Sequence, residues 1–568
     1  MKRNRLLLTI ILIAFIMNIS NIYVFAADTE NSSDDSVSAD VSQINSSELL
    51  YDEDGYLLGC QPDPEEHLHQ YLKGQSVIPD RTTLPSSCDL SQDIYFPPIG
   101  DQGNVGSCTS WAATYYQFTY QVARLNNWNA KTNSYYRFSP RWTYNFCNNG
   151  INEGASLIAT YMILKNTGAA RWSEFPSSGS NTTTEYRKWC TVTDVYKNAL
   201  QYRVSSLLID KYEDDDTILT PIKSPNNSGL LTMKNHINSG HILAFSSKWN
   251  TPVYKSLSSQ YDSSLNGKSV IVSLNNTNTT NKGHALTIVG YDDNIWYDLN
   301  NNNKKESFEK GAFKVANSHG TSYQNSGYVW LMYDALNQKS NANILNTPNR
   351  ESFIKNYVYY KIEVAKCDLL LTSEVTINHT YRNEIELFTA PTMLNYSWYY
   401  DSFLKNNGGN YNFVGQSGNN TATFAFDFGN MPDAIERRNV YLLIKDGCNN
   451  SGSITNVPTK IQRLKLIDKT GKTVVDDTEE RTINNCLKYY GYRIGMVGDT
   501  DNNASVNITD ATSINQYLAG LMNLTSEDLI VSDTDADNSV TIMDVTHLQR
   551  YLVRIIPNMN NGIYASLN

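Results

Sequence analysis

The stretch "IGDQGNVGSCTSWAA", Ile99 to Ala113, sets one cysteine among small and polar residues just ahead of a helix signal. A structural cysteine usually sits among larger apolar neighbours. A nucleophilic one needs a base within reach and surroundings that favour the thiolate. The helix signal follows at once. In "CTSWAATYYQFTYQVARLNNW", Trp111, Tyr115, Phe118 and Val122 recur at spacings of three and four. Cys108 therefore opens a helix, where roughly half a positive charge favours an anion.

Beyond this helix, "EGASLIATYMILKNTG" reads as a second one closing at Gly168, and "TMKNHINSG" as a third, shorter one. From "HILAFSSKW" onward the pattern turns to strands: "SVIVSL", "HALTIVGYD", "GAFKVANS" and "GYVWLMY". A helical front half and a strand-rich back half predict an α+β domain of two lobes with a cleft between them, over residues 84–360. Residues 361–490 alternate in short runs such as "DLLLTSEVTI", "ATFAFDF", "NVYLLIKD" and "IQRLKLID", which predict an antiparallel β-sandwich. That region holds no catalytic constellation. Residues 28–83 are acidic and aperiodic and read as a linker or a pro-segment; "PEEHLHQYLKG" is the one helix signal in them.

The 568 residues allow several domains, and a hydrophobic share of 40% suits folded ones. A net charge of −11 speaks against a nucleic-acid partner. "MKRNRLLLTIILIAFIMNISNIYVFAA", residues 1–27, has the basic start, apolar run and small-residue end of a secretory signal peptide. No later run is long enough to span a bilayer. The mature chain is expected outside the cell and free of the membrane. Two cysteine pairs are candidate bridges: Cys147 with Cys190, and Cys448 with Cys486.

"QGNVGSC" resembles the signature ahead of the nucleophile in the papain family of cysteine peptidases. "GHALTIVGYDD", with His284, and "KVANSHGTSYQNSGYVWL", with Asn317, follow in that family's order. "FSPRWTYNFCNNGINEGAS" resembles the cleft-lining segment of its bacterial members. The resemblance covers residues 84–360. It implies a papain-like domain with a helical lobe and a β-barrel-like lobe, acting on protein or peptide substrates without a catalytic cofactor. Cys108 would attack the peptide carbonyl as half of a thiolate–imidazolium pair. His284 would protonate the leaving amine and then activate water, and Asn317 would orient the imidazole. Gln102 and the Cys108 N–H would stabilise the oxyanion. Three positions depart from the family: Thr109 follows the nucleophile where tryptophan is usual, Val105 replaces a cysteine, and His319 replaces the "NSWG" tryptophan.

Residues 491–568 contain a repeat. "DTDNNASVNITD" offers Asp499, Asp501, Asn503, the Ser505 carbonyl, Asn507 and Asp510; "DTDADNSVTIMD" offers Asp533, Asp535, Asp537, the Ser539 carbonyl, Thr541 and Asp544. This is the oxygen spacing of a calcium loop. Each loop leads into an amphipathic stretch, "ATSINQYLAGLM" or "VTHLQRYLVRII". The unit resembles a dockerin, a small all-α calcium-binding module. That resemblance implies structural Ca²⁺, a cohesin module of a scaffoldin as partner and association with a cellulosome. Ile508, Thr509, Ile542 and Met543, late in the loops, are the candidate contacts. A third stretch, "DLNNNNKKESFE", repeats the spacing with Asp298, Asn300, Asn302, the Lys304 carbonyl, Glu306 and Glu309. It falls between the strands of His284 and Asn317. The whole reads as a secreted, scaffold-docked cysteine endopeptidase. The alternatives are a catalytically silent papain-like binding protein on the same scaffold, and a thiol acyltransferase.

Overall fold

The computed structural model describes residues 51–52, 57–64, 68, 84–212, 222–249, 251–258, 263–277, 283–390, 400–428, 438–447, 456–559 and 562–567. The leader at 1–27 and most of the helix read at 64–74 lie outside them.

One helical run, Cys108–Ser110, Trp111–Phe118 and Thr119–Asn126, organises the first half. Its middle part is π-helical, and all of Trp111–Phe118 is buried. The run is buried because it serves two cores. Ala112, Ala113, Phe118 and Val122 join the apolar cluster of the helices Pro140–Cys147 and Leu157–Thr167. Trp111, Tyr115, Tyr116 and Tyr120 join a second cluster built on strands. The run stops where Asn127 turns left-handed, at φ 54°. Ser156 caps the Leu157–Thr167 helix by accepting from the Ala159 N–H, and Gly168 closes it at φ 65°.

The strands form one sheet of ten. Its spatial order is Tyr202–Lys211, Val358–Lys366, Leu243–Ser247, His284–Trp296, Lys310–Ala316, Tyr328–Met332, Ser269–Asn275 and Pro252–Ser256, with two short strands paired alongside. His284–Trp296 and Lys310–Ala316 are antiparallel, with Thr287 opposite Ala316. The start of the first therefore lies beside the end of the second. That register places His284 next to Asn317.

Val358–Lys366 pairs along Tyr202–Lys211, from Val358↔Lys211 to Lys366↔Tyr202. The boundary expected at 360/361 thus falls inside a strand. Beyond it stand two five-stranded sheets. Val375, Ile377, Leu464 and Leu466 of one share an apolar cluster with Ile385, Leu387, Leu442 and Ile444 of the other. The same cluster takes in Phe146, Trp189 and Tyr196 of the helical region. Phe403 is the hinge of this contact, with ring centroids 4.8 Å from Phe146, 5.8 Å from Trp189 and 5.2 Å from Tyr196. Beside it the buried Arg382 guanidinium lies 4.4 Å over the Trp189 ring and donates to the carbonyls of Gly408 (2.8 Å) and Arg187 (2.7 Å). Burial pulls its pKa down to about 9. Residues 371–496 are therefore fused to the helical region through a packed core, not hung from it on a linker.

The last helices, Ile508–Leu518 and Ile542–Leu552, close over Val497, Ala511, Ile514, Val545, Leu548 and Met559. A short helix that sequence did not show, Ser526–Ser532, sits between them. The strand Tyr564–Ser566 returns to pair with Leu487–Met496, through Met496↔Tyr564 and Ile494↔Ser566. Arg438 with Asp528 (2.8 Å) and Arg493 with Glu527 (2.6 Å) tie the short helix to the same sheet.

The bridge expected between Cys147 and Cys190 is not formed; both are free thiols. Each points into its own segment: the Cys147 Sγ donates to the Thr143 carbonyl at 3.1 Å and the Cys190 Sγ to the Val192 carbonyl at 3.9 Å. Cys486 is also free, and Cys448 lies outside the described residues.

Candidate active site and C-terminal loops

Cys108 is the first residue of its helix, which packs against the strand that His284 opens. The thiol and the imidazole thus sit on two elements in contact, each at the start of its own. His284 Nε2 bonds Asn317 Oδ1 at 2.7 Å. His284 Nδ1 is buried with no hydrogen-bond partner among the described residues. The Gln102 side chain accepts from the Ser318 hydroxyl at 2.7 Å through Oε1, and its Nε2 donates to the carbonyls of Val105 and Leu57, each at 3.0 Å. Trp249 covers the imidazole, with ring centroids 5.1 Å apart. Gln102, Cys108, His284 and Asn317 are all fully buried.

What buries them is the segment at 57–64, read from sequence only as linker or pro-segment. Cys60 and Gly283 exchange two backbone hydrogen bonds of 2.8 Å. On the other edge, Gln61 N–H donates to the Ala155 carbonyl and Ala155 N–H to the Gly59 carbonyl, both at 2.9 Å. The strap thus bridges the helical side and the strand side, directly over the sulfur. Gly59 is obligatory here: a Cβ on it would stand 1.9 Å from the Gly106 carbonyl oxygen. Asp52 reaches the Trp249 indole N–H at 3.3 Å and lies 3.6 Å from His319 Nδ1.

The strap changes the electrostatics expected from sequence. Burial pushes the Cys108 thiol up to about 11, against the pull of the Ala285 and Gly59 N–H groups. Burial also brings His284 down to about 4, against its bond to Asn317. Beneath the strap both groups are neutral at pH 7. The thiolate–imidazolium pair belongs to an uncovered cleft.

The three oxygen-rich loops share one backbone template. The first residue accepts two amides: Asp499 from Asn503 (3.0 Å) and Ala504 (3.1 Å), Asp533 from Asp537 (3.2 Å) and Asn538 (2.9 Å), Asp298 from Asn302 (3.1 Å) and Asn303 (2.8 Å). The last residue reaches back in the same way. Asp510 accepts from Thr500 and Asn507, Asp544 from Thr534 and Thr541, and Glu309 from Leu299 and Glu306. The fourth and sixth positions are left-handed throughout: Asn502 and Ala504, Ala536 and Asn538, Asn301 and Asn303. Asn suits that region; Ala504 and Ala536 occupy it at roughly 1–2 kcal/mol each.

The loops differ in their side chains. The carboxylate oxygens of Asp499, Asp501 and Asp510 lie within 4.8 Å of one another, as do those of Asp533, Asp535 and Asp544. In the Asp298 loop, Glu306 instead takes the amides of Asn300 (2.6 Å) and Asn302 (2.8 Å). Ile508, Ile542 and Met543 are 60%, 60% and 58% exposed at the starts of the last helices.

Sequence reading missed the strap and Trp249. The signals were present: "LLGC" is an apolar run inside an acidic stretch, and Trp249 follows the strand whose Ser247 pairs with His284.

Residues 497–553 match the family model described as Dockerin type I domain. No curated protein matches the chain. Among solved structures, the chain is similar to xylellain, a cysteine protease from Xylella fastidiosa, at 18% identity over 54% of this chain and 91% of that one, with a TM-score of 0.32. It is similar to digestive procathepsin L 3 of Tenebrio molitor larval midgut at 14% identity over 53% and 78% of the chains, with a TM-score of 0.33. It is also similar to the bromelain protease of Ananas comosus, at 15% identity over 49% and 99%, with a TM-score of 0.30. Among the described residues no helix is long and apolar enough to cross a membrane.

Proposed function

We propose that the chain is an exported cysteine endopeptidase of the papain kind, carried on a cohesin-bearing scaffoldin by its C-terminal dockerin. One observation carries the catalytic reading: Asn317 Oδ1 holds His284 Nε2 and leaves Nδ1 without a partner among the described residues, on the strand against which the Cys108 helix packs. With Nε2 carrying the hydrogen, Nδ1 has the lone pair of a base. In an uncovered cleft it takes the thiol proton, and Cys108 attacks the peptide carbonyl. The same nitrogen protonates the leaving amine and then activates water for deacylation. Gln102 Nε2, which now holds the Leu57 carbonyl, is placed to hold the oxyanion together with the Cys108 N–H. Such a donor is worth about 3 kcal/mol.

In this reading the helices and the ten-stranded sheet are the two lobes of the peptidase, and residues 371–496 form a sandwich buttressing the helical lobe. The strap is a pro-segment: its Leu57 carbonyl occupies the amide that a substrate would use, and its backbone closes the route to the sulfur. Calcium belongs in the last two loops, held by Asp499, Asp501, Asn503, Asn507 and Asp510, and by Asp533, Asp535, Asp537, Thr541 and Asp544, with the Ser505 and Ser539 carbonyls. There it would neutralise carboxylates that otherwise repel and so steady the packing of the two helices. The Asp298–Glu309 loop is put forward as a third calcium site on its matching backbone. Ile508, Thr509, Ile542 and Met543 are the cohesin face.

The test is digestion of casein by the full chain, by Gly59→Ala to unseat the strap, and by Gly59→Ala with Cys108→Ala, each with and without a reductant. The proposal expects Gly59→Ala to cleave and the added Cys108→Ala to lower the rate by roughly a thousandfold or more. Cleavage that survives Cys108→Ala overturns it. So does an uncovered chain that binds casein and leaves it whole, which is the silent-binder outcome.

A further inference from the structure

His319 stands where the resembled family carries a tryptophan, and it is fully buried against the reacting pair: its ring centroid is 4.6 Å from that of His284. The hydrogen bonds around Asn317 fix what it does. Asn317 Oδ1 accepts from the Ser318 backbone N–H at 2.7 Å as well as from His284 Nε2. A backbone N–H can only donate, so the oxygen must lie on that side and the amide nitrogen on the other. There Nδ2 meets His319 Nδ1 at 3.3 Å. Nδ2 can only donate, so Nδ1 must be the acceptor and the His319 proton sits on Nε2.

We propose that His319 is a positioning residue: its neutral Nδ1 accepts the Asn317 amide and so holds the oxygen that orients His284. An indole in this place has only a donor and could not do it. Burial keeps His319 far below its ordinary pKa, which preserves the accepting form. The titratable groups around the ring are His284, Asp52 and Tyr323, with Asp101 paired to the His319 backbone. Asp52 lies 3.6 Å from the same Nδ1 and competes for it, since a carboxylate draws a proton onto that nitrogen.

This inference rests on the peptidase reading, and its test separates the two. In the full chain carrying Gly59→Ala, His319→Phe keeps the ring and removes the acceptor, while His319→Asn restores an acceptor on a shorter arm. Two rates are read: casein or peptide cleavage, and alkylation of Cys108 by iodoacetamide at pH 7, which needs no substrate. His319→Phe is expected to lower kcat about tenfold with KM within about twofold, to slow alkylation similarly, and to be largely rescued by His319→Asn. Unchanged alkylation in His319→Phe overturns the inference whatever the cleavage rate. Equal losses in both variants overturn it too, because they mean that packing alone matters. If no form cleaves and alkylation still follows the acceptor, the peptidase reading falls and the positioning role stands.

Discussion

The cleft and the C-terminal loops are both built from polar side chains, yet they sit in opposite states. In the cleft the catalytic candidates are dry and braced: Gln102 and Asn317 have their bonds made, and a strap completes the set. In the loops, carboxylates of one sign crowd within 4.8 Å, and large apolar side chains face solvent beside them. On the proposed function the first region would have to lose a piece of its own chain before acting, and the second would have to gain something from outside.

The largest expected effect breaks the closed state. Gly59→Ala drives a Cβ into the Gly106 carbonyl, and the strap leaves. With the thiol at about 11 instead of its ordinary 9, the thiolate fraction at pH 7 is about a hundredfold lower in the covered chain. Iodoacetamide should therefore label Cys108 about a hundredfold faster at pH 7 in Gly59→Ala. The sign follows from the raised value: the covered chain holds the neutral thiol through pH 9, and its labelling climbs about tenfold per pH unit until near 11. Equal profiles for the two forms would mean that the strap is not the cover.

The next effect tests the open state. Chelation of calcium in the full chain should abolish cohesin binding and remove the helical circular dichroism of residues 508–552, with casein cleavage by Gly59→Ala retained. Asp499→Ala with Asp533→Ala should do the same in the presence of calcium. A smaller loss is expected from Ile508→Asp or Ile542→Asp, about 2 kcal/mol or roughly thirtyfold in Kd for a cohesin by titration calorimetry. A neutral result at both positions would move the docking face elsewhere.

The smallest effect falls on the loop that belongs to both regions. Asp298→Ala removes the carboxylate that accepts Asn302 and Asn303. The melting temperature of the first half should drop by about 2–4 °C in calcium and less in chelator. An equal drop in both would make this loop a plain turn.

How much of this was legible follows from the range of the interactions. Gln102, Cys108, His284 and Asn317 stand out as candidates because each sits in a local motif, and strand register sets His284 beside Asn317. The shared backbone of the loops was legible because its spacing is a property of consecutive residues. The strap was not, because Leu57 to Cys60 become ordered only by pairing with Ala155 and Gly283, far along the chain. The strand that spans 360/361 was hidden for a similar reason. "VYYKIEVAK" reads as a strand of either domain, and only its partner, Tyr202–Lys211, decides. The fusion of the two regions rests on Phe403 against Phe146, Trp189 and Tyr196, a set that no short-range pattern joins.

The returning strand Tyr564–Ser566 lies on Leu487–Met496, the strand that leads into the C-terminal helices. The module's two ends are thus clasped at one place, which denies it a swivel. Whatever grips those helices therefore grips the sheet they are clasped to. The pairing of Tyr564–Ser566 with Leu487–Met496 thus holds the orientation of the module on its sheet.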